Sequence, residues 1–254
     1  SGRHILGWKK GGKLHLEEIH RFHNGAVMKG DKFVWEVDRL FDEILIGLKK
    51  ARALGKMPYS VSIDTWGVDY ALLDKNDKLI GEVYSYRDKR TENSSIKAEE
   101  IVPFSTLYES SGIERAVFNT VYQLYDDVLT GRINDAKTFL MLPDYLNFLL
   151  TGNKRQEYTN ATTTALVDAK THDWNYETIE KLGIDKSIFL PLFKTGETVG
   201  FVKKEIADEI GYRPLIIAPA THDTASAVLA VPDNGKNSLY LSSGTWSIMG
   251  VPVE

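Results

Sequence analysis

The chain has 254 residues, of which 43% are hydrophobic and 26% are charged, and its formal net charge is −4. This composition is typical of a globular protein that forms one large domain or two smaller ones. Because there is no basic surplus, binding to nucleic acid through phosphate neutralisation is a poor explanation. No apolar run approaches the roughly 20 residues of a membrane span. With no cysteine the chain has neither disulfides nor thiolate chemistry, and we expect a cytoplasmic protein.

The first part of the chain predicts a hairpin followed by a helix. Extended segments at residues 4–8 and 13–22 flank Lys10-Gly11-Gly12, which is a turn signal. Residues 38–54 carry apolar side chains three and four positions apart, the spacing of one helical face, and Gly55 follows as a stop signal.

The remaining predicted elements are short. In chain order they are a strand at 60–63, a hairpin of 70–73 and 79–84 around Asp74-Lys75-Asn76-Asp77, a mostly helical stretch at 91–151 with a strand at 138–142 and a helix at 144–150, a loop at 158–164, a helix at 175–181, a strand at 215–218, a helix at 224–230, a linker at 232–235 and a hairpin at 239–253. The hairpins and the later strand–helix units together predict an α/β lobe with a mixed sheet.

Both ends of the sequence suggest a fragment of a longer protein. Ser1 leads at once into an apolar, strand-like run, and the final hairpin is typical of the start of a new unit.

The strongest local signal for chemistry is Thr221-His222-Asp223-Thr224, where an apolar strand ends and a helix of small residues begins. Ligands of open α/β sheets bind outside the carboxyl ends of strands. Asp223 at this place can accept a proton from a substrate hydroxyl, and His222 can bind a polar ligand or orient the carboxylate. Aspartate at this position is also typical of a helix cap, and the two roles can coexist.

A second signal is Asp64-Thr65-Trp66-Gly67, where another strand ends in a carboxylate. Gly67 allows a ligand to approach the backbone closely, and Trp66 offers a flat apolar face to a sugar ring. The alternative is an ordinary turn beside a core tryptophan.

Small residues around glycine form two further segments, Ser242-Ser243-Gly244-Thr245 and Ser1-Gly2-Arg3. The backbone N–H groups of such turns can bind a phosphate. No P-loop, dinucleotide fingerprint or serine-hydrolase elbow is present, and the six histidines lack the spacing of a zinc site.

Taken together, these segments resemble the FGGY carbohydrate kinases. The resembling stretches occur in family order and cover almost the whole chain. They are residues 1–3 with 19–22, 64–69 with 86–88, 118–124, 142–146 with 150–152, 157–164, and 221–228 with 241–250.

The resemblance implies an actin-like, ribonuclease-H-like fold of two lobes with the active site between them. It implies transfer of a phosphoryl group from ATP, with Mg²⁺, to the primary hydroxyl of L-rhamnulose. Asp223 is similar to the catalytic base of the family. The residues that would bind the metal are left open. Gly67, His222, Asp223 and Thr224 match sugar-binding positions. Ser1, Gly2, Arg3 and Thr245 match nucleotide-binding positions.

The resemblance also implies a division of the chain. Residues 1–233 match an N-terminal sugar-binding lobe that lacks its first strand and the Asp-x-Gly before Ser1. Residues 234–254 match the opening hairpin of a C-terminal nucleotide-binding lobe, most of which is absent. We therefore expect this chain alone to have little or no kinase activity.

Two alternatives stay open. The substrate can be a related deoxy-ketose such as L-fuculose, because spacing does not measure the stereochemistry of a hydroxyl group. The chain can also act as an inactive sugar-binding fragment, because Gly67 and the segment around Asp223 both lie within it.

Overall fold

The computed structural model describes residues 1–232, 238–243 and 247–251. The strands, in chain order, are β1 (Gly2–Lys10), β2 (Lys13–Phe22), β3 (Val27–Lys29), β4 (Lys32–Trp35), β5 (Ser60–Val61), β6 (Tyr70–Leu73), β7 (Val83–Tyr84), β8 (Thr138–Met141), β9 (Gln156–Glu157), β10 (Val167–Asp168), β11 (Asp173–Trp174), β12 (Leu192–Phe193), β13 (Thr198–Phe201), β14 (Leu215–Ile217), β15 (Tyr240–Ser243) and β16 (Ser247–Gly250).

The helices lie between these strands, singly or in succession. They are α1 (Val37–Ala53), α2 (Thr91–Ile101), α3 (Phe104–Ser111), α4 (Thr120–Leu129), α5 (Leu142–Thr151), α6 (Tyr158–Thr162), α7 (Tyr176–Lys181), α8 (Lys204–Ile210) and α9 (Asp223–Leu229), with short 3-10 helices at Arg132–Asp135 and Lys186–Ile188. Within the described ranges, no helix is both long and apolar enough to cross a membrane.

Local sequence signals correctly predicted the first hairpin and the first helix. Strands β1 and β2 pair antiparallel, and Gly11 and Gly12 at the turn have φ values of +59° and +77°. Both values suit the tight hairpin turns that glycine favours. Helix α1 buries one apolar face, which includes Leu40, Ile44 and Leu48.

The mixed sheet of the prediction is present as β13-β14-β5. Strand β14 pairs parallel with β5 and antiparallel with β13. A second pair, β6 and β8, is antiparallel and separates two hydrophobic cores. Because side chains alternate along a strand, Ala71 and Leu73 face the first core, whereas Tyr70 and Leu72 face the second.

The predicted second hairpin is wrong beyond its turn. The Asp74 carboxylate accepts N–H bonds from Asn76 and Lys78, as its turn sequence indicates. The chain then makes a single bridge, Leu73 to Leu79, after which Gly81 has φ +65°. Strand β6 is fully buried and pairs with β8, and β7 pairs with β4. Tertiary burial therefore decided the partners of these strands.

The predicted loop at 158–164 is also wrong, because its first five residues form α6. The Glu157 carboxylate caps this helix by accepting N–H bonds from Thr159 and Asn160. The hydroxyls of Thr162 and Thr163 donate to carbonyls three residues back. These bonds satisfy the polar groups that give threonine its low helix propensity.

The chain-terminal predictions are only partly described. Strands β15 and β16 pair antiparallel, in agreement with the last predicted hairpin. Its turn at 244–246 and most of the predicted linker at 232–235 lie outside the described residues. The division into a lobe at 1–233 and a second unit at 234–254 therefore stays a prediction.

Candidate active site

The two strand-end segments singled out in the sequence lie side by side. The backbone N–H of Thr65 donates to the carbonyl of Thr221 at 2.9 Å, and the N–H of Asp223 donates to the carbonyl of Thr65 at 2.8 Å. These bonds extend the parallel pairing of β5 and β14 past the ends of both strands. The carboxyl ends of parallel strands are where open α/β sheets bind ligands.

Asp223 is exposed at this edge, with 55% of its side chain accessible. It is the first residue of α9, and Oδ1 accepts bonds from the backbone N–H and the hydroxyl of Thr224 at 2.6 and 3.2 Å. Oδ2 makes no hydrogen bond to any residue in the described part of the chain. The carboxylate thus contributes to the helix start through one oxygen and leaves the other open to a ligand.

His222 lies beside this carboxylate, with Nε2 3.6 Å from Asp223 Oδ1. Burial lowers the pKa of His222, while the charges of Asp223 and Glu157 act in the opposite direction. Its backbone N–H points to the Thr159 hydroxyl at 3.4 Å. The net lowering favours a neutral imidazole, which can both donate and accept a hydrogen bond.

Glu157 fixes the segment that precedes Asp223 through hydrogen bonds. The sequence analysis gave Glu157 no role. Its side chain is fully buried. Oε2 accepts bonds from the N–H and hydroxyl of Thr221 at 3.2 and 2.7 Å, and also from Thr159 and Asn160. Oε1 accepts a bond from the Thr195 hydroxyl at 2.9 Å. A buried carboxylate with this many donors fixes the backbone on which Asp223 begins.

Asn160 joins the two segments. Its side-chain amide donates to the carbonyl of Trp66 at 3.3 Å and to the carbonyl of Thr221 at 3.1 Å. Because Asn160 is fully buried, these bonds are shielded from competition with water. The misassigned segment at 158–164 therefore supplies the connection between the predicted sugar-binding positions.

Position 67 requires glycine because Thr163 lies very close to its backbone. A Cβ atom at this position would lie 2.7 Å from Thr163 Cγ2, which is nearer than real Cβ contacts allow. The Thr163 hydroxyl accepts the N–H of Val68 at 2.9 Å. The backbone at Gly67 thus packs on Thr163, directly after α6, and this contact places the turn beside the segment that carries Asp223.

Asp64 extends the charged surface at this edge. Partial loss of solvent raises the pKa of the Asp64 carboxyl, the charge of Asp223 raises it further, and the charge of Arg3 lowers it. The predicted nucleotide-binding residue Arg3 is therefore in the same electrostatic environment as the predicted base. The sequence showed Asp64 as a strand-end carboxylate but gave it no role.

The other predicted nucleotide-binding residues have less defined surroundings. The Ser1 hydroxyl accepts a bond from Arg21 at 3.0 Å, and a Cβ on Gly2 would overlap the Phe22 ring. Thr245 lies outside the described residues.

A cavity of about 460 Å³ opens beside His222 between α9 and the last hairpin. Its walls are mainly apolar and hydroxyl side chains, namely Thr159, Thr195, Ala220, His222, Thr224, Ala225, Val228, Leu229, Tyr240 and Ile248.

A metal site made by the protein alone is not evident, because the described residues contain no group of three or more His, Asp or Glu side chains placed to hold an ion. The Asp64 carboxylate at this edge nevertheless suits Mg²⁺, which commonly binds one or two carboxylates and the phosphates of a substrate.

Comparison with known proteins gives the class. Residues 33–230 match the N-terminal domain of the FGGY family of carbohydrate kinases. Since this match covers most of the chain, the chain belongs to the FGGY family of carbohydrate kinases.

The relatives include rhamnulokinase from Oceanobacillus iheyensis, which is 46% identical over 99% of this chain and 54% of its own length. The chain thus spans about half the length of that relative. Among solved structures, xylulose kinase from Rhodospirillum rubrum has a TM-score of 0.76 at 15% identity, covering 90% of this chain and 48% of its own.

Plasmodium falciparum glycerol kinase with ADP has a TM-score of 0.65 at 16% identity, covering 80% of this chain and 43% of its own. These likenesses confirm the predicted fold class, a mixed α/β lobe that corresponds to about half of such a kinase.

Proposed function

We propose that the protein to which this chain belongs transfers the γ-phosphoryl group of ATP to the O1 hydroxyl of L-rhamnulose. The observation that carries the proposal is the exposed Asp223 carboxylate, held at the ends of two parallel strands beside Gly67 and His222. The 46% identity to a rhamnulokinase supports the choice of sugar.

Asp223 acts as the base in this proposal. Its open Oδ2 accepts the proton of the O1 hydroxyl while that oxygen forms a bond to the γ-phosphorus. The bond between the γ-phosphorus and the bridging oxygen breaks, and ADP leaves with its electron pair. Phosphoryl transfer depends mostly on positioning and charge stabilisation, and the fixed backbone around Thr221 supplies the positioning of the base.

The sugar is bound by the predicted residues around that base. His222 and Thr224 hydrogen-bond its hydroxyl groups, and Gly67, whose Cβ position is closed off by Thr163, contacts it through the backbone. The two turns that carry these residues are joined through Asn160, so the sugar subsite is expected to behave as one rigid surface.

ATP and Mg²⁺ are part of the same proposal. Ser1, Gly2, Arg3 and Thr245 contact the phosphates of the nucleotide, and Arg3 adds positive charge near Asp64 and Asp223. Mg²⁺, held by Asp64 together with those phosphates, would supply charge neutralisation and leave Asp223 Oδ2 available as the base. A cytoplasmic location follows from the use of ATP as phosphoryl donor.

A second candidate is that the chain alone is an inactive sugar-binding fragment. It is favoured because the chain spans about half of its curated relative yet contains Gly67, His222, Asp223 and Thr224. In this case calorimetry of the isolated chain shows weak sugar binding, and a coupled ADP-release assay shows little or no turnover.

The test of the main proposal is a coupled ADP-release assay on the protein at its full natural length. L-Rhamnulose, L-fuculose and other ketoses are compared with ATP and Mg²⁺. We expect the highest kcat/KM with L-rhamnulose. A higher kcat/KM with L-fuculose would identify L-fuculose as the preferred substrate in place of L-rhamnulose. No turnover of any ketose would overturn the kinase assignment.

A further inference from the structure

The turn at residues 67–69 departs from ordinary local structure at every position. Gly67 is pressed against Thr163, as described above. Val68 has φ +66°, in the left-handed region that is costly for a β-branched residue. Asp69 is a fully buried carboxylate. Such departures persist where surrounding structure enforces them, and they concentrate at ligand-binding and catalytic sites.

Asp69 is buried, and no Lys or Arg among the described residues forms an ion pair with it. Oδ2 accepts the indole N–H of Trp35 at 2.6 Å and that of Trp66 at 2.8 Å, and Oδ1 faces the amide of Gln123 at 3.4 Å. Burial raises the pKa of Asp69 to about 6, against the opposing effect of these donors and of the backbone N–H of Tyr86. An apolar side chain would join the same elements without removing a charge from water.

The hydrogen bonds to Asp69 instead fix the position of one aromatic ring, the indole of Trp66. Both indoles donate to the same oxygen, and their centroids are 4.1 Å apart. Trp35 belongs to the β4 strand and is buried, whereas Trp66 is only partly buried and directly precedes Gly67. Of the two rings, Trp66 is therefore the one that a ligand at this turn can contact.

The other oxygen of Asp69 is held in place as well. The Gln123 amide also donates to the carbonyls of Phe118 at 2.9 Å and Val68 at 3.3 Å. The Val68 carbonyl accepts a further bond from the Thr120 hydroxyl at 2.7 Å. Because Gln123 is fixed by these bonds, the Asp69 carboxylate cannot rotate without losing hydrogen-bond partners. The fixed carboxylate in turn fixes the plane of the Trp66 indole.

We propose that Asp69 is a positioning residue of the sugar subsite, which fixes the Trp66 indole as an apolar wall against the C–H face of the bound ketose. This inference rests on the proposed function, since it assumes that a ketose binds at Gly67. It assigns to Asp69 an effect on sugar affinity and none on proton transfer, which belongs to Asp223.

The test measures steady-state kinetics on the protein at its full natural length, with the ketose that the wild type phosphorylates fastest. The variants are Asp69→Asn, in which the amide group opposes the Gln123 donor, and Trp66→Phe, which removes the indole N–H and narrows the ring. We expect KM for the ketose to rise about fivefold to tenfold in both, with kcat within about twofold and KM for ATP unchanged.

Asp127→Asn is the matched control. Asp127 is also a buried carboxylate, but it binds the Tyr70 hydroxyl, Arg90 and Arg132 within the protein interior. We expect this variant to lower Tm while leaving KM for the ketose at the wild-type value. A purely structural Asp69 would behave in the same way.

Unchanged KM for the ketose in both Asp69→Asn and Trp66→Phe would overturn the inference. If Asp69→Asn does not fold, Trp66→Phe decides alone. If the wild type turns over another ketose but not L-rhamnulose, L-rhamnulose is not the substrate. The role of Asp69 is then decided by the KM values of the variants for that other ketose. No ketose turnover by the wild type would overturn both.

Discussion

The two turns that form the candidate site are each held by a buried carboxylate, but the carboxylates do different things. Asp69 binds two indole rings, one of them next to Gly67, and so shapes a surface. Glu157 binds hydroxyl and backbone N–H groups from Thr159, Thr195 and Thr221, and so fixes a backbone. The first turn thus provides an apolar wall, whereas the second holds Asp223 exposed without letting its chain segment move.

The largest effect is expected from Asp223 itself. Asp223→Asn keeps the shape of the side chain but removes the proton acceptor, so kcat should fall about a thousandfold while sugar binding persists. Steady-state kinetics and calorimetry measure these two quantities. The control is Asp208→Asn at an exposed carboxylate paired with Lys204, which should leave kcat unchanged. Normal turnover of Asp223→Asn would mean that this carboxylate serves only the start of α9.

Loss of the Glu157 carboxylate should come next, because it breaks the fixed turn. Glu157→Ala leaves buried donors without partners and should lower the free energy of unfolding by about 3 to 5 kcal/mol. Urea unfolding measures this change, and kcat of the remaining folded protein should fall at least about tenfold because Thr221 loses its support.

Glu157→Gln sharpens the same comparison. The amide oxygen can keep the donors of Thr221, Thr159 and Asn160, and the Thr195 hydroxyl can accept the amide N–H, so a smaller loss is expected. Glu205→Ala, at an exposed position of α8, serves as the control. An equal loss of stability at the exposed position would contradict the role given to Glu157.

The buried Asp69 carboxylate should make the free energy of unfolding depend on pH. Because the pKa of Asp69 is raised to about 6, the folded protein binds this proton more tightly than the unfolded chain. Its contribution to the free energy of unfolding therefore declines as pH rises from about 4 to about 6. The stability of wild type minus that of Asp69→Asn should be about 2 kcal/mol greater at pH 4 than at pH 7.

Urea unfolding of both proteins at pH 4, 5.5 and 7 measures this difference. Other titrating groups, including the buried Asp144 whose pKa is also raised, occur in both proteins and cancel. A difference that does not change with pH would show that Asp69 is ionised alike in the folded and unfolded states.

An effect of similar or smaller size is expected at Gly67. Gly67→Ala places a methyl group within 2.7 Å of Thr163 Cγ2, and the required shift should cost about 1 to 3 kcal/mol of stability. Because the turn moves relative to α6, KM for the ketose should rise as well. Gly7→Ala in β1, whose nearest neighbour would be 3.4 Å away, is the control and should change stability by less than about 0.5 kcal/mol. Equal effects of the two substitutions would argue against a tight Gly67 turn.

The sequence predicted those parts that depend on neighbouring residues. Glycines at a tight turn and apolar spacing along one face were sufficient for the β1–β2 hairpin and for α1. The strand–helix junction at Asp223 was predictable in the same way, because a short apolar strand leads directly into small residues. Resemblance to the FGGY family then indicated the roles of Gly67, His222 and Thr224, which local pattern alone left open.

The two errors have different physical causes. Strand β6 is buried on both faces, so its partner was decided by packing against β8 and not by the turn that follows it. Helix α6 forms from threonine-rich sequence because Glu157 caps it and hydroxyl groups satisfy its carbonyls. The first effect depends on a strand far along the chain, whereas the second is local but uses glutamate, which is not among the preferred N-cap residues.

The sequence by itself determined the short-range elements, the family and the position of the Asp223 carboxylate at a strand end. Only the tertiary structure decided how that carboxylate is supported, because Glu157 is 38 residues from Thr195 and 64 residues from Thr221 along the chain. The same holds for Asp69, which meets Trp35 across 34 residues and Gln123 across 54. Hydrogen bonds of a buried carboxylate depend on which segments fold around it, and the linear order of residues does not show those distances.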